Sequence, residues 1–223
     1  MLKYFIIYKP FGMLSQFTRP NDSSAGRAKE PSYGNTSGGK SEHKTLADVR
    51  FNFPKDVYPV GRLDSDSEGL LLLTNDKFIN LKLLDPKFKH NRTYLSQVEG
   101  VFSEEAKRKL EKGVFISVDG EKYQTLPCKV EILSSPNGGG WEGASNLAER
   151  NPPIRFRKNI PTSFIKISLH EGKNRQVRKM TASVGFPTLR LLRIAIEKIE
   201  LGNLQPSEVM EMGKKIIYDK LRL

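Results

Sequence analysis

The sequence predicts an α+β fold with a mixed, mostly antiparallel sheet. Strand-like and helix-like segments follow one another without the regular alternation of a parallel βαβ protein. No segment repeats another. The 223 residues suffice to bury a substantial core, in one large domain or two subdomains.

The elements read in order as follows. Lys3 to Lys9 holds the apolar run Tyr4, Phe5, Ile6, Ile7 and Tyr8, stopped by Pro10-Phe11-Gly12, and is a buried strand entering a loop. Residues 19–44 turn to Ser, Gly, Asn, Lys and Pro and are expected to form a flexible, mildly basic loop. Thr45 to Val49 opens a short helix. Val57 to Val60 is strand-like, Gly61 to Gly69 is a polar loop, and Leu70 to Leu73 is a buried strand ending at Thr74-Asn75-Asp76. Phe78, Leu81 and Leu84 give Lys77 to Leu84 helical spacing, and Pro86 stops it. Arg92 to Glu99 alternates as a strand. Ser103 caps a helix to Leu110, with Glu104 and Glu105 in its first turn. Val114 to Val118 and Cys128 to Leu133 are further strands. Residues 134–162 form an irregular insertion carrying three consecutive glycines, Trp141 and a basic patch of Arg150, Arg155, Arg157 and Lys158. Ser163 to Leu169 alternates as a strand, Asn174 to Val184 is helical, and Leu189 to Leu201 returns as strand.

Composition narrows the function. Hydrophobic residues make up 37% and charged residues 28%, as in a soluble globular chain. No apolar run approaches the ~20 residues that span a bilayer. Lys3, Tyr4 and Lys9 interrupt the apolar start, so no signal peptide and a cytoplasmic location are expected. The lone Cys128 excludes an internal disulfide and a cysteine-built zinc site. It reads as a buried structural thiol. His43, His90 and His170 are not spaced as metal ligands. The net charge of +12 favours a polyanionic partner, and nucleic acid suits it better than a membrane surface because no long basic amphipathic helix is visible. Charge alone does not separate DNA from RNA.

The densest group of chemistry-bearing residues is Gly61-Arg62-Leu63-Asp64-Ser65-Asp66-Ser67-Glu68-Gly69. Its alternating acids before a glycine imitate the start of a calcium loop, but Asn75 stands where that loop needs a bidentate Glu. Three other readings stay open on the residues alone. They are a facing pair of carboxylates, a single catalytic carboxylate beside Arg62, and a solvated turn.

Five blocks in order carry a resemblance that decides among them. They are Tyr8 to Gly12, Gly61 to Asp76, Arg92 to Gly100, Glu171 to Met180 and Gly185 to Arg193. Together they resemble the pseudouridine synthases that act on ribosomal RNA, in the RsuA branch, over nearly the whole chain apart from residues 19–44. The resemblance implies a pseudouridine synthase catalytic fold across residues 1–223, with two subdomains around a basic cleft and no S4-type RNA-binding domain. Asn151 to Arg155 and Ile160 to Ser163 resemble the large-subunit members, which implies 23S ribosomal RNA as partner. A monomer is expected. Ser65 and Glu197 depart from the pattern, the latter standing where a glycine is usual.

The implied reaction breaks the bond from uracil N1 to the ribose and rejoins the base through C5. No group donor or oxidant is consumed, so no cofactor is expected, and neither a P-loop nor a G-x-G-x-x-G motif is present. By resemblance Asp64 is the nucleophile, with Arg178 as the cation that keeps it ionised. Tyr94 stacks on the uracil or transfers a proton. Arg62 braces the gap left when the base is flipped out. Leu191 is an apolar wall of the base pocket. Lys9, Lys173, Arg175, Lys179, Arg190 and Arg193 contact phosphates.

Overall fold

The computed structural model describes residues 1–19, 44–133, 147–154 and 160–223. The expected flexible loop therefore falls almost entirely outside the described residues, as do Trp141, Arg155, Arg157 and Lys158. The described strands are β1 (Tyr4–Lys9), β2 (Tyr58–Pro59), β3 (Glu68–Thr74), β4 (Arg92–Glu99), β5 (Phe115–Val118), β6 (Glu121–Gln124), β7 (Lys129–Ile132), β8 (Thr162–Leu169), β9 (Thr188–Ile196), β10 (Ile199–Glu200) and β11 (Val209–Glu211). The helices are α1 (Lys77–Leu84), α2 (Glu104–Lys112), α3 (Gln176–Ser183) and α4 (Lys214–Leu221).

One sheet runs in the order β11–β1–β3–β9–β4–β8–β7, with β2 on β3 and β10 on β9. Every pairing along that order is antiparallel except β3 with β9. That parallel contact is short, matching Glu68 to Leu192 and Gly69 to Arg193. It is a seam between two antiparallel halves. β5 and β6 form a separate hairpin.

Alternation along the strands divides the core in three. Tyr4, Ile6, Tyr8, Leu70, Leu72, Leu95, Phe164, Leu192 and Ile196 pack with α1 and α4 in a cluster that spans both halves of the sheet. Their sequence neighbours point to the opposite face. There Phe5, Ile7, Leu71 and Leu73 pack with Met13, Leu46 and Val57. On β4, β8 and β9, Val98, Ile165, Ile167, Leu169 and Leu191 pack with α2 and α3. The strand Leu70–Leu73 is apolar without alternation because both its faces are covered. On the second face the two clusters flank the seam, and the polar loop before β3 sits there.

Gly69 makes the seam. Its φ is +101°, and an added Cβ would collide with the Arg193 carbonyl oxygen and lie 2.8 Å from the Arg193 nitrogen. Gly69→Ala is expected to cost at least about 2 kcal/mol in urea denaturation, from backbone strain and steric clash together.

Several boundaries hold closely. Lys77–Leu84 and Arg92–Glu99 form as expected, and the Ser103 hydroxyl accepts from Ala106 N at the start of α2. Others are corrected. The helix α1 buries Ile79 and Leu83, while Phe78, Leu81 and Leu84 stay largely exposed. Phe78 instead stacks on Tyr218, with ring centres 6.0 Å apart. The single strand expected over Leu189–Leu201 is two, β9 and β10, which turn back on each other at Glu197-Lys198.

Glu197 has φ 49°, the left-handed region that glycine enters most easily. Its carboxylate accepts from Asn91 N at 2.6 Å and lies 3.4 Å from His90 Nδ1 and 3.6 Å from Arg222 Nε. These contacts give a glutamate a reason to hold the conformation. Cys128 is half-buried, its thiol pushed up to about 12 by burial and nearby carboxylates, and Sγ donates to Leu110 O. It has the character of a structural thiol.

Candidate active site

Asp64 lies on the loop that enters β3 at the seam. The turn after β1 holds this loop from the other side. The Ser15 hydroxyl accepts from Leu63 N at 3.0 Å and donates to Leu63 O at 2.8 Å. Gly12 N donates to Ser65 O, and Ser67 N donates to Asp64 O. Two blocks about fifty residues apart in sequence thus form one clasp.

Lys9 completes the clasp from inside. It is fully buried, and Nζ donates to Met13 O at 2.7 Å, Pro10 O at 3.0 Å and Ser65 O at 3.4 Å. This overturns its expected phosphate contact, because the ammonium cannot reach solvent. Burial pulls Lys9 down to about 7, against the attraction of Glu68, Asp66 and Asp64. An unfolded lysine titrates near ~10.4, so between about pH 7 and pH 10 the unfolded chain binds a proton that the folded chain lacks. Stability from this group therefore rises with pH through that window. The wild type is expected to gain melting temperature relative to Lys9→Met as pH is raised from 7 towards 10. A pH-independent difference would contradict the assignment.

The acids of the loop diverge. Glu68 belongs to the face shared by Tyr8 and Leu70, where the buried Arg190 holds it in a two-pronged pair, Nε to Oε1 at 2.9 Å and Nη2 to Oε2 at 2.8 Å. Arg190 Nη2 also donates to Ala148 O at 2.9 Å. Tyr8 lies against the same pair, its hydroxyl pushed up to about 12 by burial and the Glu68 charge. Arg193 is buried too, and its Nε donates to Leu70 O across the seam at 2.8 Å. Both arginines were expected on phosphates. Both instead tie β9 to β3 from within the core.

Asp64 and Asp66 face α3 and the turn before it. Arg175 forms a two-pronged pair with Asp66, Nη1 to Oδ1 at 3.0 Å and Nη2 to Oδ2 at 2.7 Å. Its Nη1 also lies 3.8 Å from Asp64 Oδ2. Arg178 Nη2 donates to Asp66 O at 2.8 Å and Nη1 to Thr188 O at 3.3 Å, while Nε lies 3.4 Å from Asp66 Oδ2. Arg178, expected as the cation near Asp64, makes its hydrogen bonds to Asp66 O and Thr188 O and also feels the Asp64 charge. Two guanidinium groups and two carboxylates form one cluster, and Arg178 is anchored on Asp66. Burial pushes the Asp66 carboxyl up, but the hydrogen bond from Arg175 and the charges of both arginines outweigh it and hold the group below the ordinary carboxylate range.

The remaining candidates are Tyr94, Leu191, Arg62, Lys173 and Lys179. Gly69, Arg193 and Tyr94 lie in one row across β3, β9 and β4, which sets the Tyr94 backbone roughly 10 Å from the loop base. Tyr94 is half-buried against the cluster that holds Leu191. Leu191 is itself buried in that cluster. Arg62 and Lys173 are exposed and Lys179 partly so. Lys173 Nζ sits 4.8 Å from the Tyr123 ring centre. Glu171, buried at the head of the basic segment, accepts from Tyr123 OH at 2.7 Å and Leu126 N at 2.8 Å and is also bound by Gln176 Nε2. It ties the β5–β6 hairpin to the turn carrying Arg175. An acid leading a basic run was its only signal in the sequence, as alternation with Asp64 was for Asp66.

Fold and site together define an RNA-modifying enzyme of the pseudouridine synthase class. Residues 3–183 match the family model described as RNA pseudouridylate synthase, and the chain belongs to that family. It is similar to the ribosomal large subunit pseudouridine synthase E of Vibrio parahaemolyticus, 46% identical over 94% of this chain and 74% of the relative. The protein of that name from Xanthomonas axonopodis pv. citri is 41% identical over 90% of this chain and 89% of its own. A ribosomal large subunit pseudouridine synthase B from Bacillus subtilis is 32% identical over 94% of this chain and 67% of its own. A crystal structure of a pseudouridylate synthase superimposes with a TM-score of 0.69 at 24% identity, covering 99% of this chain and 74% of that one. The expected α+β pseudouridine synthase fold is therefore the observed one.

Proposed function

We propose that this chain isomerises a uridine of large-subunit ribosomal RNA, with Asp64 as nucleophile. The observation that carries the reading is the clasped loop at the seam, which presents Asp64 beside a guanidinium on the face between two core clusters. A guanidinium beside the carboxylate offsets part of the cost of holding its charge next to a sugar that is largely removed from water. The uracil N1–C1′ bond breaks, the base turns, and a C5–C1′ bond forms. The proton on C5 leaves to solvent and N1 gains one, so atoms balance with no cofactor.

Tyr94 stacks on the flipped uracil or transfers the C5 proton, above the apolar Leu191. Arg178 and Arg175 hold the charge around Asp64. Arg62 braces the gap in the RNA, and exposed Lys173 and Lys179 meet phosphates. The names of the relatives support large-subunit RNA as the substrate. Among the described residues no helix is long and apolar enough to cross a membrane. A monomeric catalytic domain working in the cytoplasm is the matching picture.

The test is tritium release from C5-labelled uridine in protein-free large-subunit, small-subunit and transfer RNA. Release from the large-subunit RNA is expected. Release from another RNA alone would replace the substrate, and silence on all three with binding intact would favour a non-catalytic RNA-binding or assembly role.

A further inference from the structure

We propose that Asp66, two residues beyond Asp64, is a positioning residue whose carboxylate fixes the two guanidinium groups that set the charge around Asp64. The inference rests on the reading of Asp64 above. One Asp66 carboxylate engages both arginines, with Arg175 held on two prongs at 3.0 and 2.7 Å and Arg178 Nε at 3.4 Å. The Asp66 carbonyl takes a further bond from Arg178 at 2.8 Å. Hydrogen bonds from these two guanidinium groups end on Asp66 and on Thr188 O.

Two more features agree. Arg175 is a non-glycine residue in the left-handed region, with φ 53° and ψ 31°, at the residue that caps α3. Strain of this kind persists where the surroundings over-determine it, and a two-pronged bond to Asp66 is such a constraint. Arg175 and Arg178 are like charges held on one carboxylate and repel each other; burial first, and the Arg175 charge after it, lower the Arg178 pKa, while Asp66 raises it. A carboxylate between them offsets that repulsion and lets both stand beside Asp64. Ser65 and Ser67 on either side carry no charge, and Glu68 is engaged by Arg190.

The experiment compares wild type, Asp66→Asn, Asp66→Glu, Arg175→Gln and the double variant Asp66→Asn/Arg175→Gln. Single-turnover tritium release is measured at saturating large-subunit RNA, with RNA binding and thermal melting alongside. Asp66→Asn is expected to slow release about 10- to 100-fold, the range for a misplaced catalytic neighbour. Its RNA binding should hold or tighten, because a negative charge has left a basic cleft. Asp66→Glu keeps the charge and should recover part of the rate. The double variant should be no slower than the slower single, because both changes act through one contact. An unchanged rate in Asp66→Asn, or two effects that multiply, would overturn the proposal.

Arginine side-chain NMR supplies a readout independent of the reaction. Asp66→Asn should speed rotation and exchange of the Arg175 Nη–H signals, whose two hydrogen bonds end on the Asp66 carboxylate. Retained signals overturn the positioning role whatever RNA the enzyme acts on, whereas a wild type silent on every RNA would fault the function and leave the NMR result to decide Asp66.

Discussion

Asp64→Asn is expected to lose tritium release by at least about 10⁴-fold while the protein still binds RNA, as removal of a nucleophile does elsewhere. The side chain is nearly isosteric. The clasp around it runs through the backbone of Leu63, Asp64 and Ser65 and the Ser15 hydroxyl, none of which the substitution removes. Folding should therefore survive, and a melting curve checks that it does. Binding should survive because the exposed cations, Arg62 and Lys173 among them, are left in place by the substitution. A variant that keeps even a tenth of the wild-type rate would remove Asp64 from the nucleophilic role.

Glu68→Gln is expected to have the largest effect on stability, about 3–5 kcal/mol in urea denaturation, because it strands a buried guanidinium. Glu68 and Arg190 side chains are 3% and 8% exposed, so solvent screens the pair little. The pair joins β3 to β9 next to their two-residue parallel contact, and Arg190 also fastens Ala148. Replacing both members with Met should recover most of the loss, since an apolar pair of similar volume carries no desolvation penalty. A Glu68→Gln loss below about 1 kcal/mol would show that the pair is solvated and does not hold the seam.

The same loop shows what the sequence made legible. Five ordered blocks pointed to the family, and the clasp explains why two of them belong together: Tyr8–Gly12 and Gly61–Asp76 touch through Lys9, Gly12 and Ser15. The strands Leu70–Leu73 and Arg92–Glu99 were readable because their burial on one or two faces imposes a pattern. The strand β6 was not, because its residues Glu121 to Gln124 lie largely exposed on a two-stranded hairpin and carry no alternation of burial. The helix α1 was legible, but the face it buries was not. Its Phe78, Leu81 and Leu84 share a stripe, yet Ile79 and Leu83 meet the core.

Charge misled in a consistent direction. Lys9, Arg190 and Arg193 counted towards an RNA-binding surface, yet all three are buried and bind carbonyls or Glu68. Composition records a cation without recording its depth. In the other direction, Asp66 read as one of three alternating loop acids and Glu171 as the first residue of a basic block, with no role assigned to either. Their importance lies in contacts across about 110 and 45 residues of chain, which no local pattern contains.

The most direct test of the central claim is nucleoside analysis of a large-subunit RNA transcript digested after incubation with the wild type or with Asp64→Asn. Pseudouridine is expected in the transcript treated with the wild type and none in that treated with the variant. Pseudouridine formed at the wild-type rate by Asp64→Asn would contradict the account at its nucleophile, and none formed by the wild type would contradict it at its substrate.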